Sequence, residues 1–505
     1  AENGFLTPYQ SQLQLAELQL AHRPLVELLH AVARPPRSGH LRLLLRGRSG
    51  SGRSTVMSIL ARHAGRPLGR IDASQLARDR VPQAERLRLG LHDAWLRGFL
   101  PCVSGLEVLM PGAGQTAEDR SLGEHLREVF RGHPGPLVFR GPPGWDPPLD
   151  PGFVTVELPR ASVKQRARSW HTQLVRHQLP TGCAEELAAR FHLEAGTIQR
   201  VCAQVAPPLA DSREQDPDSA GARQRIEEAV RQHRAARLGG VATLVERLPS
   251  WSDIVLPVES LDSLREFVGR LRHRYTVMER WGFDRLITSS RGLTALFQGG
   301  SGTGKSMAAG IIARELGFQL YRVDLGRVLS KWIGETERNL GAAFDAAEEG
   351  EVVLLFDEAD SLFARRTEVN SSVDRYANVE VNYLLQRLDA FEGVVILTSN
   401  FGSSIDAAFK RRLSLRLQFP FPDEEMREQL WRNHLPKDLP TEGPLDLRLL
   451  AEKFELSGGY IRNAALRAAF LAAQEQRPLG QEHLERAVRL EYREMGKIIE
   501  SGVLE

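Results

Sequence analysis

Several short stretches of the chain carry residue types at spacings suited to phosphate chemistry. Gly299-Gly300-Ser301-Gly302-Thr303-Gly304-Lys305-Ser306 fits the pattern G-x-x-x-x-G-K-S. Glycines at those places let successive backbone N–H groups converge on phosphate oxygens at a helix start. Lys305 would reach the β- and γ-phosphates of ATP, and the Ser306 hydroxyl would ligate Mg²⁺. Further on, Val352–Glu358 (VVLLFDE) is an apolar run ending in two carboxylates. At the carboxyl end of a buried strand, Asp357 would hold Mg²⁺, through water, and Glu358 would act as general base on the attacking water. Val394–Asn400 (VVILTSN) is another apolar run with a polar end. Asn400 could position the lytic water, with Thr398 and Ser399 as secondary candidates and a simple strand-end cap as the bland alternative. Lys410-Arg411-Arg412 is a basic cluster. On a monomer it is a solvated patch; in a ring, Arg411 and Arg412 would reach a neighbour's γ-phosphate and stabilise transition-state charge.

These groups need a scaffold, and the sequence carries one twice. Leu43–Thr55 (LLLRGRSGSGRST) and Ala295–Met307 (ALFQGGSGTGKSM) each read as strand, glycine turn and helix start. Each is followed by a helix and a short strand. LPCVSGLEVL then stands where VVLLFDEADSL stands later, about 57 and about 58 positions after the turn. PLVFRGPP matches VVILTSNF, and FHLEAGTIQRVCAQVA from Phe191 matches FELSGGYIRNAALRAA from Phe454. Matches in the same order predict a tandem duplication. Alternating apolar strands and amphipathic helices predict an α/β fold, with a parallel sheet flanked by helices and a small all-helical lid in each copy. The expected division is a helical segment at 1–40 and a first module with lid at 41–205. A linker with a bridging helix follows at 206–240, then the larger part of a second module at 241–432 and its lid at 433–505.

Composition narrows the partners. The chain has 505 residues, with Lys+Arg 66 against Asp+Glu 64. A near-neutral balance argues against a DNA-coating protein, so no nucleic acid is expected. Three cysteines without a CxxC pair suggest neither a disulfide framework nor a zinc site, and a reducing, cytoplasmic setting. No apolar run approaches the roughly 20 residues of a membrane span, and no signal peptide is visible at the start. Arginine far outnumbers lysine, so a lysine kept at position 305 carries information.

From about Trp251 to Arg493 the chain resembles a module of the AAA-type (AAA+) ATPases. The resemblance implies tandem P-loop modules, ATP with Mg²⁺ as cofactors, and a homo-oligomeric ring, commonly a hexamer. It places Ser301, Thr303 and Met307 with the glycines around the nucleotide. The phrase SWSDIVLP makes Asp253, Ile254 and Val255 adenine neighbours, and LSGGYIRNAA does the same for Gly458 and Gly459. No certain counterpart of the family's lid arginine is evident, Arg462 being close. Ser330–Glu337 (SKWIGETE) resembles the first pore loop of the family's unfoldases and severing enzymes, so Lys331, Trp332 and Ile333 would grip an extended polypeptide. A packed core or interface tryptophan is the alternative. Phrases such as DRYANVEVNYLLQRLDAFEG and FKRRLSLRLQFPFP resemble bacterial members encoded with phage-tail-like contractile injection systems, which carry a divergent amino-terminal half. That implies assembly, loading or remodelling of such a particle.

The first copy is degenerate. Arg53 stands where Lys305 stands, and Ser104 and Gly105 align with Asp357 and Glu358. Arginine is not equivalent to lysine beside a crowded phosphate, and neither metal ligand nor base remains. This copy is expected not to hydrolyse ATP. The function expected is an ATP-driven machine acting on protein. The alternatives are a nucleotide-gated assembly scaffold with slow turnover and a nucleic-acid motor or loader.

Overall fold

The computed structural model describes residues 6–11, 41–76, 83–109, 117–206, 219–283, 286, 292–325, 335–360, 387–388, 391–400 and 413–496. They fall into two compact units, Ala1–His233 and Arg234–Glu505.

In the first unit the strands are β1 (Leu6–Tyr9), β2 (Arg42–Arg46), β3 (Leu68–Asp72), β4 (Leu100–Ser104), β5 (Leu137–Gly141) and β6 (Val154–Glu157). They form one sheet in the order β1-β3-β4-β5-β2-β6. Helix α1 (Arg53–His63) follows the glycine turn, and α2 (Gln83–Leu96) and α3 (Ala117–Gly132) are further helices of the unit. A helical lid follows: α4 (Val163–Arg176), α5 (Ala184–Arg190) and α6 (Ala195–Val205). Ile226, Ala229 and Val230 of α7 (Ser219–Leu238) pack into the lid core.

The second unit repeats this plan. Its strands are β7 (Ala242–Leu244), β8 (Leu293–Gln298), β9 (Gln319–Val323), β10 (Val352–Phe356), β11 (Val394–Ser399) and β12 (Leu415–Gln418). Read from the other edge, their order β7-β9-β10-β11-β8-β12 is that of the first sheet. The helices described are α8 (Val258–Tyr275), α9 (Lys305–Leu316) and α10 (Glu335–Ala347), with a lid of α11 (Glu424–His434), α12 (Leu447–Lys453), α13 (Gly458–Gln474) and α14 (Gln481–Glu494). Strands β10 and β11 are buried along their whole length. That explains their continuous apolar runs, since a parallel strand covered on both faces has no polar side to show. Two apolar clusters lie against this sheet, one built on α10 and the other on α8 and α9.

The α/β expectation holds, with one addition. Each otherwise parallel sheet gains a short antiparallel edge strand: β1 against β3, and β7 against β9. The helical expectation for 1–40 therefore needs correction at Leu6–Tyr9. The open edge of β3 offers backbone hydrogen-bonding groups that an extended segment satisfies and a helix cannot. Residues 12–40 lie outside the described residues. The bridging helix expected within 206–240 is α7, which ends at Leu238, and β7 follows it at Ala242–Leu244.

The two lids share a feature hidden in the sequence. Arg166 of α4 is buried, and its Nε and Nη1 donate to the carbonyls of Ala188 and Ala161 at 3.1 and 2.6 Å. Arg427, at the matching place in α11, donates in the same way to Ala451 and Pro422 at 2.8 and 2.7 Å. Trp170 and Trp431, also matched, are fully buried. Each arginine ties the end of one lid helix to the loop entering the previous one. Charged donors to carbonyls contribute about 1.5–3 kcal/mol each, and their removal strands buried acceptors. Arg427→Leu should therefore lower the stability of the second unit by about 3 kcal/mol. Denaturant unfolding checks this, and an unchanged midpoint would show the clamp to be energetically idle.

Candidate functional site

The carboxyl ends of three adjacent strands create the site. In the second sheet β11 lies between β8 and β10. Whatever follows β11 therefore stands between the glycine turn after β8 and the carboxylates after β10. The turn leads into α9, whose N-cap Gly304 has φ 99°. Gly302, with φ 75°, has a second reason to be glycine: a Cβ there would sit 2.5 Å from Ser457 Oγ and 3.1 Å from the Gly459 amide nitrogen. The lid approaches closely because Gly459 N–H donates to the Gly302 carbonyl at 3.1 Å.

A cavity of about 270 Å³ opens between turn, strand ends and lid. Ser301, Gly302, Thr303, Gly304, Lys305, Ser306 and Met307 line it. So do Asp253, Ile254 and Val255 from one side, Gly458 and Gly459 from the lid, and Asp357, Glu358 and Asn400 from the sheet. Gly300 lies just behind this wall, where its carbonyl accepts from Thr303 Oγ1 at 2.9 Å. Arg411, Arg412, Lys331, Trp332 and Ile333 lie outside the described residues.

The polar groups are already engaged with one another. Lys305 is buried, and its Nζ donates to the carbonyls of Gly299 and Gly300 at 2.7 Å each and to Asn400 Oδ1 at 2.9 Å. Burial pushes this ammonium below the usual lysine range, and Asp357, Asp360 and Glu358 oppose the shift. Asp357 Oδ1 accepts from Ser306 Oγ and Thr398 Oγ1, each at 2.7 Å. Its Oδ2 lies 3.8 Å from Arg322 Nε, a half-exposed and hence weak ion pair. Asn400 N–H is held by both oxygens of Asp360. Asp253 accepts from the amide and hydroxyl of Ser250, which fixes the turn entering the cavity wall. Glu358 is exposed, and its backbone lies in the left-handed region at φ 53°. For a residue other than glycine that costs on the order of 1–3 kcal/mol.

Among the described residues no cluster of three or more His, Cys, Asp or Glu could hold a metal. That fits Mg²⁺, which commonly takes one or two protein ligands and completes its shell with phosphate and water. Ser306 Oγ and Asp357 Oδ1 form such a pair of hard oxygens, 2.7 Å apart.

Several further residues line the cavity, among them His434, Arg462 and Thr398. Burial, then Arg462, push the His434 imidazole below the usual histidine range, and Asp253 opposes them, so the neutral ring is favoured at neutral pH. Thr398 is fully buried and joins Asp357 to Glu358. Arg462 had a signal in its place after the Gly-Gly lid motif, and Thr398 one in its place near the end of an apolar strand, where it read as a secondary water-positioning candidate; His434 had none.

The first unit repeats the geometry with different side chains. Gly196 N–H donates to the Gly50 carbonyl at 2.9 Å, matching the lid contact of the second unit. Arg53 Nη1, however, donates to the Gly141 carbonyl, and Arg140 Nη1 donates to Ser54 Oγ. Burial and then Arg140 push Arg53 down to about 10, against Glu107 and Cys102. Burial raises Glu107, against Arg53 and Arg140. Where Lys305 faces Asp357, Asp360 and Glu358 in the second unit, two guanidiniums stand here, with Glu107 and Asp72 near them. A groove of about 940 Å³ elsewhere in the unit, lined by parts of α2 and α3, contains none of the motif residues.

Residues 295–421 match the model of the AAA family, "ATPase family associated with various cellular activities". Over this stretch, about a quarter of the chain, the sequence is similar to an ATPase module. The katanin p60 ATPase-containing subunit A1 of Strongylocentrotus purpuratus is 30% identical over 249 residues, 46% of this chain and 46% of that protein. The 26S proteasome subunit RPT4 of Saccharomyces cerevisiae is 28% identical over 240 residues, 46% of this chain and 53% of that protein. A cell division cycle protein 48 homolog of Archaeoglobus fulgidus is 34% identical over 197 residues, 37% of this chain and 26% of that protein. The chain thus spans about half the length, or less, of these curated relatives.

The first copy should resist repair. A Cβ at Gly105 would meet Asp72 Oδ1 at 2.6 Å and Ser74 N at 2.7 Å, at φ 77°. Introducing Arg53→Lys, Ser104→Asp and Gly105→Glu into a Lys305→Ala chain should create no Mg²⁺-dependent nucleotide binding. Calorimetric titration with Mg²⁺-ATP tests this, and a stoichiometric isotherm would contradict it.

Proposed function

We propose that the chain hydrolyses ATP with Mg²⁺ in its second unit and uses the energy to remodel, unfold or thread protein substrates within a homo-oligomeric, hexameric ring. The observation that carries the catalytic half is the convergence of Lys305, Ser306, Asp357, Glu358 and Asn400 on one cavity closed by Gly458 and Gly459. The turn's N–H groups and Lys305 would bind the phosphates, Lys305 exchanging its carbonyl partners for phosphate oxygens. Ser306 and Asp357 would hold Mg²⁺, which when bound neutralises phosphate charge. Glu358 would accept the proton of the attacking water, and Asn400 would orient that water or the γ-phosphate. Asp253, Ile254, Val255, Met307 and neutral His434 would surround the adenine. Arg411 and Arg412 would act on a neighbour's γ-phosphate, which makes the active site incomplete in a lone chain.

The protein-remodelling half rests on the Lys331-Trp332-Ile333-Gly334 phrase and on relatives that include a 26S proteasome subunit. An aromatic and an aliphatic side chain beside a glycine suit the gripping of an extended polypeptide. The cytoplasm is the expected setting; no helix among the described residues is long and apolar enough to cross a membrane. Work on a contractile injection particle is the finer reading, supported by the sequence phrases alone. A scaffold gated by nucleotide, and a nucleic-acid motor, remain as outcomes of the tests.

Glu358→Gln should lower ATP turnover by about 10²–10⁴-fold while ATP stays bound. Steady-state turnover measured together with oligomer mass checks this; wild type that binds ATP as a monomer without turnover would overturn the ring-motor reading. Trp332→Ala should retain nucleotide binding and lose unfolding of a tagged test protein. Unchanged unfolding would remove the pore-loop role, and stimulation of turnover by DNA instead of protein would favour a nucleic-acid motor.

A further inference from the structure

Thr398 sits at the carboxyl end of β11 with no exposed surface. Its hydroxyl makes two bonds whose directions are settled by chemistry. An ionised carboxylate only accepts and an amide N–H only donates. The hydroxyl therefore gives its proton to Asp357 Oδ1 at 2.7 Å and accepts from the N–H of Glu358 at 2.9 Å. One atom thus ties the metal-side carboxylate to the backbone of the general base. The backbone it holds is the one at φ 53°, a conformation that side chains other than glycine's rarely adopt. The Ala359 N–H, one residue on, donates to the Thr398 carbonyl at 2.9 Å, so the strained residue is held on both sides by the same partner.

The first unit supplies an internal comparison. Its β5 pairs with β2 so that Arg140 is opposite Leu45, two residues before Gly47. In the second unit Thr398 is opposite Phe297, two residues before Gly299. Arg140 thus occupies the register place of Thr398. Ser104 and Gly105 occupy those of Asp357 and Glu358, and Gly105 keeps the left-handed backbone at φ 77°. The bend after the strand belongs to both copies. Where no carboxylate is used, glycine takes the bend and the hydroxyl is gone. Where a carboxylate is used, a glutamate takes it and a hydroxyl holds its N–H.

We infer that Thr398 is a positioning residue for hydrolysis: its single hydroxyl sets Glu358 relative to Asp357, so that base and metal ligand share one reference point. The inference rests on the ATP-hydrolysis reading above. It differs from a role in contacting the lytic water, because both hydroxyl bonds point at protein groups.

The test compares Thr398→Val, which keeps the shape and removes both bonds, with Thr398→Ser, which keeps the hydroxyl. Thr398→Val should lose about 10–100-fold in kcat, and the Mg²⁺ needed for half-maximal binding of a fluorescent ATP analogue should rise about tenfold. KM for ATP should stay within about twofold, since the turn that binds the phosphates is untouched. Thr398→Ser should recover kcat to within about threefold of wild type on the same reasoning. Wild-type kcat in Thr398→Val, or equal loss in Thr398→Ser and Thr398→Val, would overturn the inference; the second result would assign the effect to packing. If Thr398→Val fails to fold, Thr398→Ala against Thr398→Ser makes the same comparison. Wild type and Glu358→Gln are measured alongside. Absence of turnover in wild type overturns the hydrolysis reading and this inference with it, whereas normal wild type, inactive Glu358→Gln and normal Thr398→Val overturn this inference alone.

Discussion

The hydrogen bond from Gly459 N–H to the Gly302 carbonyl sets how near the lid can come to the glycine turn. The cavity exists because of that distance. Both partners are backbone groups, so the contact depends on the absence of side chains: a Cβ at Gly302 would lie 2.5 Å from Ser457 Oγ, and one at Gly459 would lie 3.2 Å from Gly302 Cα. The fully buried apolar body of the lid, with Trp431, Leu456 and Ile461, and the Arg427 clamp hold α13 where its first N–H groups can reach the turn. The first unit reproduces the bond between Gly196 and Gly50, where a Cβ on Gly196 would meet the Gly50 carbonyl at 2.9 Å. The lid contact has outlasted the side-chain chemistry it encloses.

That persistence separates scaffold from reaction. Both units share strand order, glycine turn, lid arginine and lid tryptophan. What differs is the charge at three strand ends. In the second cleft three carboxylates, Asp357, Asp360 and Glu358, act on Lys305, and a divalent cation would add to the positive charge they face. In the first, Arg53 and Arg140 stand near Glu107 and Asp72, and the Ser54 hydroxyl already accepts from a guanidinium. Two guanidiniums there would disfavour a cation at the place where the other copy presents Ser306 and Asp357.

Much of this was legible in the residues. The glycine turn, the two strands ending in polar groups and the tandem order all depend on local patterns, and Asp357, Glu358, Asn400 and Lys305 do meet at one cavity. What was hidden depends on partners remote in sequence. Leu6–Tyr9 and Ala242–Leu244 are too short to carry a strand period, and they are extended because another strand's edge is open. Arg166 and Arg427 look like ordinary helix-surface arginines until the carbonyls that receive them are seen. His434 gave no signal, because its place at the cavity depends on how α11 is seated in the lid. Thr398 read as a secondary water-positioning candidate, since nothing along the chain tells whether a strand-end hydroxyl faces a ligand or its own neighbours.

The mutual satisfaction of the site's polar groups bears on how it would discriminate ligands. Lys305 has three acceptors, and Asp357 Oδ1 has two hydroxyl donors, before any nucleotide enters. A ligand therefore gains only the difference between new and old partners, not the full strength of each contact. A neutral ligand would gain little in this exchange, because Lys305 would trade three uncharged acceptors for others of the same kind. Phosphate oxygens reverse the balance, since they are charged acceptors reaching an ammonium in a partly dry pocket. Removing Lys305 from Asn400 Oδ1 also frees that amide, and drawing Ser306 toward a metal leaves Thr398 as a remaining hydroxyl donor on Asp357 Oδ1. An exchange that admitted phosphates would thus release Asn400 Oδ1 and leave the Glu358 N–H with its Thr398 anchor.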